Sequence, residues 1–296
     1  MLSAVAARAA ERRRPGCLLL FWDYDTQWGA DRSRLPGGAK TWGHLEFEAT
    51  DEVLCLLGGY SVSACFAVVG AAALPGERPY HDPAQIRRIH AAGHEVASHS
   101  FQHEWVPGLT RPALLDMLRH SKEALEDCVG APVRTFVPPY NRPMDYAGAL
   151  AFSLSERREA TSERTDLSLL CGALGETGYR FCRVAYQSLP HRLLEYVMRR
   201  RIDRPNELIR ISGITCARLN APCGFDERAQ EVLRTCADRG GVVIAWGHPH
   251  SLHSGNSQYL KHLVRFLELA ASLRREGRLK ICRPMDLLSR TQALAA

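Results

Sequence analysis

The sequence predicts an α/β protein in which one closed or nearly closed barrel of six to eight parallel strands is wrapped by helices. Three observations carry that expectation. Apolar runs of strand length alternate with 3.6-period segments along almost the whole chain, the pattern left by parallel βα units whose helices cover a buried sheet. Turn and cap signals fall between those runs, where each element has to stop. The length, 296 residues, suits a single α/β barrel, which uses roughly 250.

Cys17 to Trp22 is the first strand, a continuous apolar run of the kind required by a sheet covered on both faces. Glu48 to Leu57 follows as a helix, and Ser63 to Val69 as a second strand closed by Gly70. The next helix starts where Asp82 can cap it and Pro83 fits its first turn, runs to about Ala92 and is ended by Gly93. His94 to Ser98 is a third strand. Thr110 caps a helix reaching about Cys128, with Leu114, Leu115, Leu118 and Leu125 on one face and Gly130 at its end. Val133 to Val137 is a strand stopped by Pro138 and Pro139. Beyond Asn141 the periodicity is lost and Ser and Arg accumulate, which predicts an insertion loop near residues 143–165. Regular structure resumes with a helix near Leu167 to Leu174, the strand Tyr179 to Val184, a helix near Pro190 to Arg200 and the strand Glu207 to Ile211. A helix at Glu227 to Ala237, the strand Val242 to Trp246, a long helix at Gln258 to Arg275 and the strand Leu279 to Cys282 complete the chain. The expected organisation is an N-terminal extension over residues 1–15 and one domain over 16–290, without an internal repeat.

Composition narrows the function classes. With 46% apolar and 24% charged residues the chain can bury a full core, and no uncharged apolar run approaches the roughly 18 residues of a membrane span. Lys and Arg outnumber Asp and Glu 38 to 32, a surplus of six carried in short clusters such as Arg12 to Arg14, Arg199 to Arg201, and Arg274 with Arg275. These read as solvated helix faces; no aromatic-plus-basic element accompanies them, so nucleic acid is not the expected partner. The mostly small apolar stretch Ala4 to Ala10 precedes the charges Glu11 to Arg14, which reverses the order of a secretory signal, and a cytoplasmic protein is expected. None of the ten cysteines forms a C-x-x-C pair and most sit inside apolar periodic segments, as buried thiols do.

In parallel α/β architectures the chemistry gathers where strands end. Strand one ends in Trp22-Asp23-Tyr24-Asp25, two carboxylates on one face, of which one could bind a cation while the other stays free as a base. Strand three ends in His99-Ser100-Phe101-Gln102-His103, and on one helical turn that spacing puts both imidazoles on the same side. Two imidazoles and a carboxylate supply three protein ligands with open positions left for water and substrate, a catalytic type of site that suits Zn2+ and equally non-haem Fe(II). After strand four, Pro138 and Pro139 fix the chain direction and could aim the Tyr140 N–H into the site as an oxyanion donor. The strand Val242 to Trp246 delivers Gly247-His248-Pro249-His250, with His253 just beyond. Either His248 or His250 could be the acid that protonates a leaving amine. A second zinc site from His248, His250 and His253 is the competing idea, although Pro249 breaks the regular structure that would align them.

The ordered set Asp23-x-Asp25, His99-Ser100-x-x-His103, Phe136-x-Pro138-Pro139-Tyr140 and Ile244-x-Trp246-x-His248 resembles the polysaccharide deacetylase (NodB homology) family, carbohydrate esterase family four, over about residues 16 to 290. The most specific part is H-S-x-x-H after the Gly93-His94-Glu95-Val96 strand. The resemblance implies a single distorted (β/α) barrel of seven or eight parallel strands and metal-dependent hydrolysis of an N-acetyl group on an amino sugar. It makes Asp23 the general base, Asp25, His99 and His103 the metal ligands, Tyr140 N–H an oxyanion donor and His248 the general acid. Trp28, Pro139, Arg142 and Trp246 would bind substrate. The implied cofactor is Zn2+, with Co2+, Ni2+ or Mn2+ as alternatives, and the implied partner an N-acetylated sugar in a glycoconjugate or small biosynthetic intermediate; a homo-oligomer is an allowed assembly.

The chain departs from the family pattern. Its carboxylates are separated by Tyr24 where the family has adjacent aspartates, and Val137 stands where an arginine commonly precedes the Pro-Pro pair to orient the base. Arg142 or Arg134 would replace that arginine, and Asp203 is the candidate to steady the acid histidine. Two further readings keep the same barrel: hydrolysis of another non-peptide C–N bond, such as a cyclic amide or acyl-polyamine, and a non-catalytic carbohydrate-binding homologue.

Overall fold

A computed structural model of the chain describes residues 14–35, 37–143, 166–185, 193–194, 197–198 and 208–293. The expected insertion loop, Asp203 and most of the expected Pro190 to Arg200 helix lie outside the described residues.

The first strand, β1 (Gly16–Tyr24), is buried along its whole length. Its side chains alternate between two cores, as the period of two requires. Leu18, Leu20, Trp22 and Tyr24 face the helices, whereas Cys17, Leu19 and Phe21 face the interior of the curled sheet. The helix α1 (Thr26–Asp31) follows directly, then α2 (Glu46–Gly59), β2 (Cys65–Val68), α3 (Pro83–Ala91) and β3 (Glu95–Ser98). Asp82 caps α3 by accepting from Gln85 N at 2.8 Å. Next come α4 (Arg111–Val129), β4 (Thr135–Phe136), α5 (Leu167–Glu176) and β5 (Phe181–Val184). Thr110 caps α4, and Gly130 ends it in the left-handed conformation at φ 66, as the sequence predicts.

The strand β6 (Ile209–Ile211) returns immediately as β7 (Ile214–Arg218), an element absent from the sequence expectation. Ser212 and Gly213 both have positive φ, 46 and 84, the backbone of a two-residue hairpin turn. β6 is therefore antiparallel to β7, a departure from the all-parallel barrel expected. The chain ends with α6 (Glu227–Arg239), β8 (Val242–Gly247), α7 (Leu260–Arg275), β9 (Leu279–Ile281) and α8 (Pro284–Ala293).

The sheet runs β6-β7-β5-β4-β3-β2-β1-β8, with β9 beside the start of β1, and every pair but β6–β7 is parallel. This is the expected distorted α/β barrel, left open at one seam. Among the described residues no backbone ladder joins β7 to β8; the side chain of Asn220, two residues past β7, takes its place. Its Nδ2 donates to Val242 O at 2.8 Å and its Oδ1 accepts from Ile244 N at 3.0 Å, as a neighbouring strand would.

Asn220→Ala would strip the pairing from both backbone groups. Buried unsatisfied groups lose roughly 1–3 kcal/mol each, so stability should fall by about 2–6 kcal/mol. Denaturant unfolding checks this; an unchanged midpoint would show that the seam is not held by Asn220.

Candidate metal centre

The interior row of the barrel turns from apolar to charged at its top. On β1 the row Cys17, Leu19, Phe21 continues into Asp23, and on β5 Phe181 is followed two residues later by Arg183. Both are almost without solvent contact, Asp23 3% exposed and Arg183 1%. The guanidinium grips the carboxylate with two bonds, Nη1 to Oδ1 at 2.7 Å and Nη2 to Oδ2 at 2.6 Å, and Nη2 also donates to Asn141 Oδ1 at 3.0 Å. Burial alone would raise the pKa of Asp23, but Arg183 overcomes it and holds the carboxyl below the ordinary range.

Asp25 stands just past the strand, where Thr26 at φ 55 turns the chain into α1. Gly29, one turn on, leaves it room: a Cβ there would lie 2.6 Å from Asp25 Cβ. His99 and His103 come from the loop after β3, and that loop is not the helical turn their spacing suggested. Ser100 and His103 adopt left-handed φ values of 65 and 60. The loop is clamped from below, since Ser100 O accepts from Gly70 N and from Ser121 Oγ, both at 2.9 Å, and Phe101 O accepts from Ala71 N at 2.7 Å.

Hydrogen-bond logic fixes both imidazoles. His99 Nδ1 lies 2.7 Å from Val137 O; a carbonyl only accepts, so Nδ1 carries the hydrogen. His103 Nδ1 lies 3.1 Å from the Tyr140 hydroxyl, which donates its own proton to Arg32 O and so must accept from the ring. Both Nε2 lone pairs consequently face Asp25 Oδ1, at 3.3 and 3.7 Å. The three ligand atoms lie within 4.8 Å of one another, the one such cluster among the described residues. Asp25 Oδ1 is buried with no hydrogen-bond partner, which fits a cation bound between it and the two lone pairs. Asp25 is held far below the usual carboxylate range, because His103 and His99 outweigh its burial. Burial draws His103 down to about 4, so it is neutral at pH 7 as a ligand must be. His99 is lifted above its ordinary value, Asp25 and Asp23 outweighing the burial.

His248 follows β8, its Nε2 3.9 Å from Asp23 Oδ2. Its backbone N–H donates to Gln258 Oε1 at 2.6 Å and its ring Nδ1 lies 3.1 Å from the same oxygen. Desolvation works against protonating the ring, yet Cys223 and Asp25 beside it lift the pKa to about 9. Asp23, Asp25, His99, His103, Tyr140, Trp246 and His248 all line one cleft of about 550 Å3, the size of a small-ligand site.

Residues 41–154 match the family model described as polysaccharide deacetylase. Over that stretch, well under half of the chain, the sequence is similar to the polysaccharide deacetylase family. Its fold is similar to that of a protein from Mycobacterium smegmatis provisionally named a polysaccharide deacetylase, at 16% identity and a TM-score of 0.66, covering 96% of this chain and 93% of that one. It is also similar to the Puue allantoinase, at 14% identity and a TM-score of 0.57, covering 96% and 95%. No curated protein matches the chain in sequence.

Within this fold the expected substrate-binding set divides. Trp246 lines the cleft, but Trp28, Pro139 and Arg142 do not. Trp28 is one step round α1 from Gly29, roughly 100°, and packs edge-on against Tyr80 and His81. The unanticipated aromatic is Trp42, which lines the cleft and stacks on His250 at 3.7 Å. Neither Arg142 nor Arg134 replaces the missing family arginine, because Arg183 from β5 already occupies both oxygens of Asp23. The signal for it was a lone charge in the apolar strand Phe181-Cys182-Arg183-Val184. The rival histidine site is not assembled: His250 Nδ1 pairs with the buried Glu46 at 3.2 Å, and His253 is exposed and pairs with Glu52 at 2.9 Å.

Arg183→Met should leave a buried carboxylate unpaired, at a loss of roughly 3–5 kcal/mol. Because the folded pKa of Asp23 lies below its unfolded value of about 3.9, the pair stabilises the fold above that pH and ceases to as pH falls further. The variant should therefore unfold at a higher pH in acid titration followed by circular dichroism. Equal stability of variant and wild type in denaturant unfolding at pH 7 would show that the pair contributes nothing.

Proposed function

We propose that the chain is a metal-dependent hydrolase that removes the acetyl group from the nitrogen of an N-acetyl amino sugar. The observation that carries this reading is the convergence, in one cleft, of the Asp25–His99–His103 cluster with Asp23 and His248. Two imidazole nitrogens and a carboxylate oxygen suit Zn2+ best, with Co2+, Ni2+ or Mn2+ as substitutes. Bound there, such an ion would polarise the acyl carbonyl and lower the pKa of water. Trp42 and Trp246 in the cleft wall suit the apolar face of a sugar ring.

The protein's own groups then divide the proton work. Asp23, oriented by Arg183, takes a proton from the attacking water. Tyr140 lines the cleft, and by the family resemblance its backbone N–H would donate to the acyl oxygen. His248, protonated at neutral pH with its pKa at about 9, gives a proton to the departing nitrogen, without which an amine leaves poorly.

Elemental analysis of the purified chain, coupled to acetate release from a panel of N-acetyl sugars, tests the reading. The expected result is about one ion per chain, lost in His99→Ala/His103→Ala together with activity. Asp23→Asn should keep the ion and lose turnover by about 10²–10⁴-fold; loss of the ion there, with retention in Asp25→Asn, would reverse the two roles. Ion without acetate release would move the assignment to another C–N bond, and no ion after reconstitution would overturn it.

Substrate chemistry probes the acid separately. His248→Ala should spare metal content and lose far more activity on an amide than on an aryl acetate, whose leaving group departs unprotonated. Equal losses on both substrates would deny His248 that role.

A further inference from the structure

We propose that Gln258 is the positioning residue of His248, locking the ring in one tautomer through a single uncharged oxygen. The inference rests on the assignment of His248 as the acid; its geometry does not. The backbone N–H of His248 needs an acceptor, and the Gln258 side-chain atom 2.6 Å away must therefore be the amide oxygen, since the amide nitrogen can only donate. That same oxygen lies 3.1 Å from ring Nδ1, and because it cannot donate, Nδ1 must carry the hydrogen. In the neutral ring the lone pair is left on Nε2, on the side of Asp23. In the imidazolium the proton available for transfer is the one on Nε2. When it passes to the leaving nitrogen, the ring remains neutral with its Nδ1–H still on Gln258.

The surrounding chain is built to hold that oxygen in place. Gln258 is itself buried, and its backbone N–H donates to Asn256 Oδ1 at 2.8 Å. At position 247 a Cβ would fall 3.1 Å from Gln258 Oε1 and 3.0 Å from the Phe225 ring, so glycine there makes room for the amide. The other groups facing His248 are Asp23 at 3.9 Å, the Cys223 sulfur 4.0 Å from Nδ1, the His250 ring at 5.1 Å, Trp246 at 5.6 Å, and Asp25 through space. The Cys223 sulfur faces Nδ1 but lies farther from it than Gln258 Oε1 does. An amide there fixes direction at every pH without adding the charge that would bind the imidazolium proton more tightly.

The test is NMR of the His248 ring in the full-length zinc-loaded chain, assigned against His248→Gln, beside Gln258→Glu, Gln258→Leu and Gln258→Asn. In the wild type the neutral ring should be the Nδ1–H tautomer. Gln258→Glu keeps the acceptor and adds a charge, so the His248 midpoint should rise by about one pH unit or more. Gln258→Leu and the shorter Gln258→Asn should lower it and let the Nε2–H tautomer appear. The alkaline limb of acetate release should move in the same directions. A purely structural glutamine would not move the midpoint in opposite directions in the Glu and Leu variants. A wild-type ring in the Nε2–H form, or a midpoint unmoved in all three variants, overturns the proposal. If Gln258→Glu does not fold, the other two carry the test. Because the ring titration needs no substrate, the failures separate: shifted titrations without acetate release sink the deacetylase reading alone, and acetate release with unmoved titrations sinks only the role of Gln258.

Discussion

The grip of Arg183 on Asp23 sorts the two carboxylates at the end of β1, and the rest of the centre depends on that sorting. Both Asp23 oxygens are taken by guanidinium bonds of 2.7 and 2.6 Å. Asp25, one residue beyond its neighbour Tyr24, keeps an oxygen with no hydrogen-bond partner, facing two histidine lone pairs. An ion pair this deeply buried is expensive in desolvation and is held by its bidentate geometry. The barrel supplies that geometry: the interior rows of β1 and β5 rise in step, Phe21 and Phe181 forming one layer of side chains and Asp23 and Arg183 the next. Arg183 also lies over the Phe21 and Trp246 rings, at 5.3 and 4.9 Å, so aromatic faces cover the cation where water would otherwise reach it.

Backbone strain is concentrated around the same cleft. Among the described residues, five of the seven non-glycine residues with positive φ, namely Thr26, Ser100, His103, Tyr140 and Asn141, belong to the segments that carry the centre. Left-handed conformations at such residues are unfavourable by about 1–3 kcal/mol each, so the surrounding contacts must enforce them. The bonds from Gly70, Ala71 and Ser121 to the Ser100–Phe101 backbone are such contacts. They also explain why the helix-like spacing of His99 and His103 leads to a different local structure with the same result: the loop is tied to the neighbouring turn after β2 instead of to itself.

Much of this was legible in the residues. The apolar runs placed eight strands, the caps at Asp82 and Thr110 placed two helix starts, and His99, His103 and one of the carboxylates Asp23 and Asp25 were marked as a ligand set by type and position, with Asp25 chosen by the family resemblance. What escaped did so for physical reasons. β7 is short and rich in Thr, Cys and Ala, so its apolar signal is faint next to the hairpin turn that makes it. Arg183 was visible as an odd charge in a strand, but its partner is 160 positions away, and only the curl of the sheet brings the two together. Gln258 looked like the opening of a helix; the helix begins at Leu260, and the glutamine turns back toward His248. Trp28 and Trp42 are indistinguishable by residue type, and it is the rotation of a short helix that turns the first away from the cleft.

The Tyr140 hydroxyl has a wider consequence. It accepts from His103 and donates to the carbonyl of Arg32, and the next three residues, Ser33, Arg34 and Leu35, line the cleft. Floor and entrance are thus joined by a single oxygen, with His103 on one side and the rim backbone on the other. The position of the rim backbone is therefore set by the same hydroxyl that sets the tautomer and direction of His103.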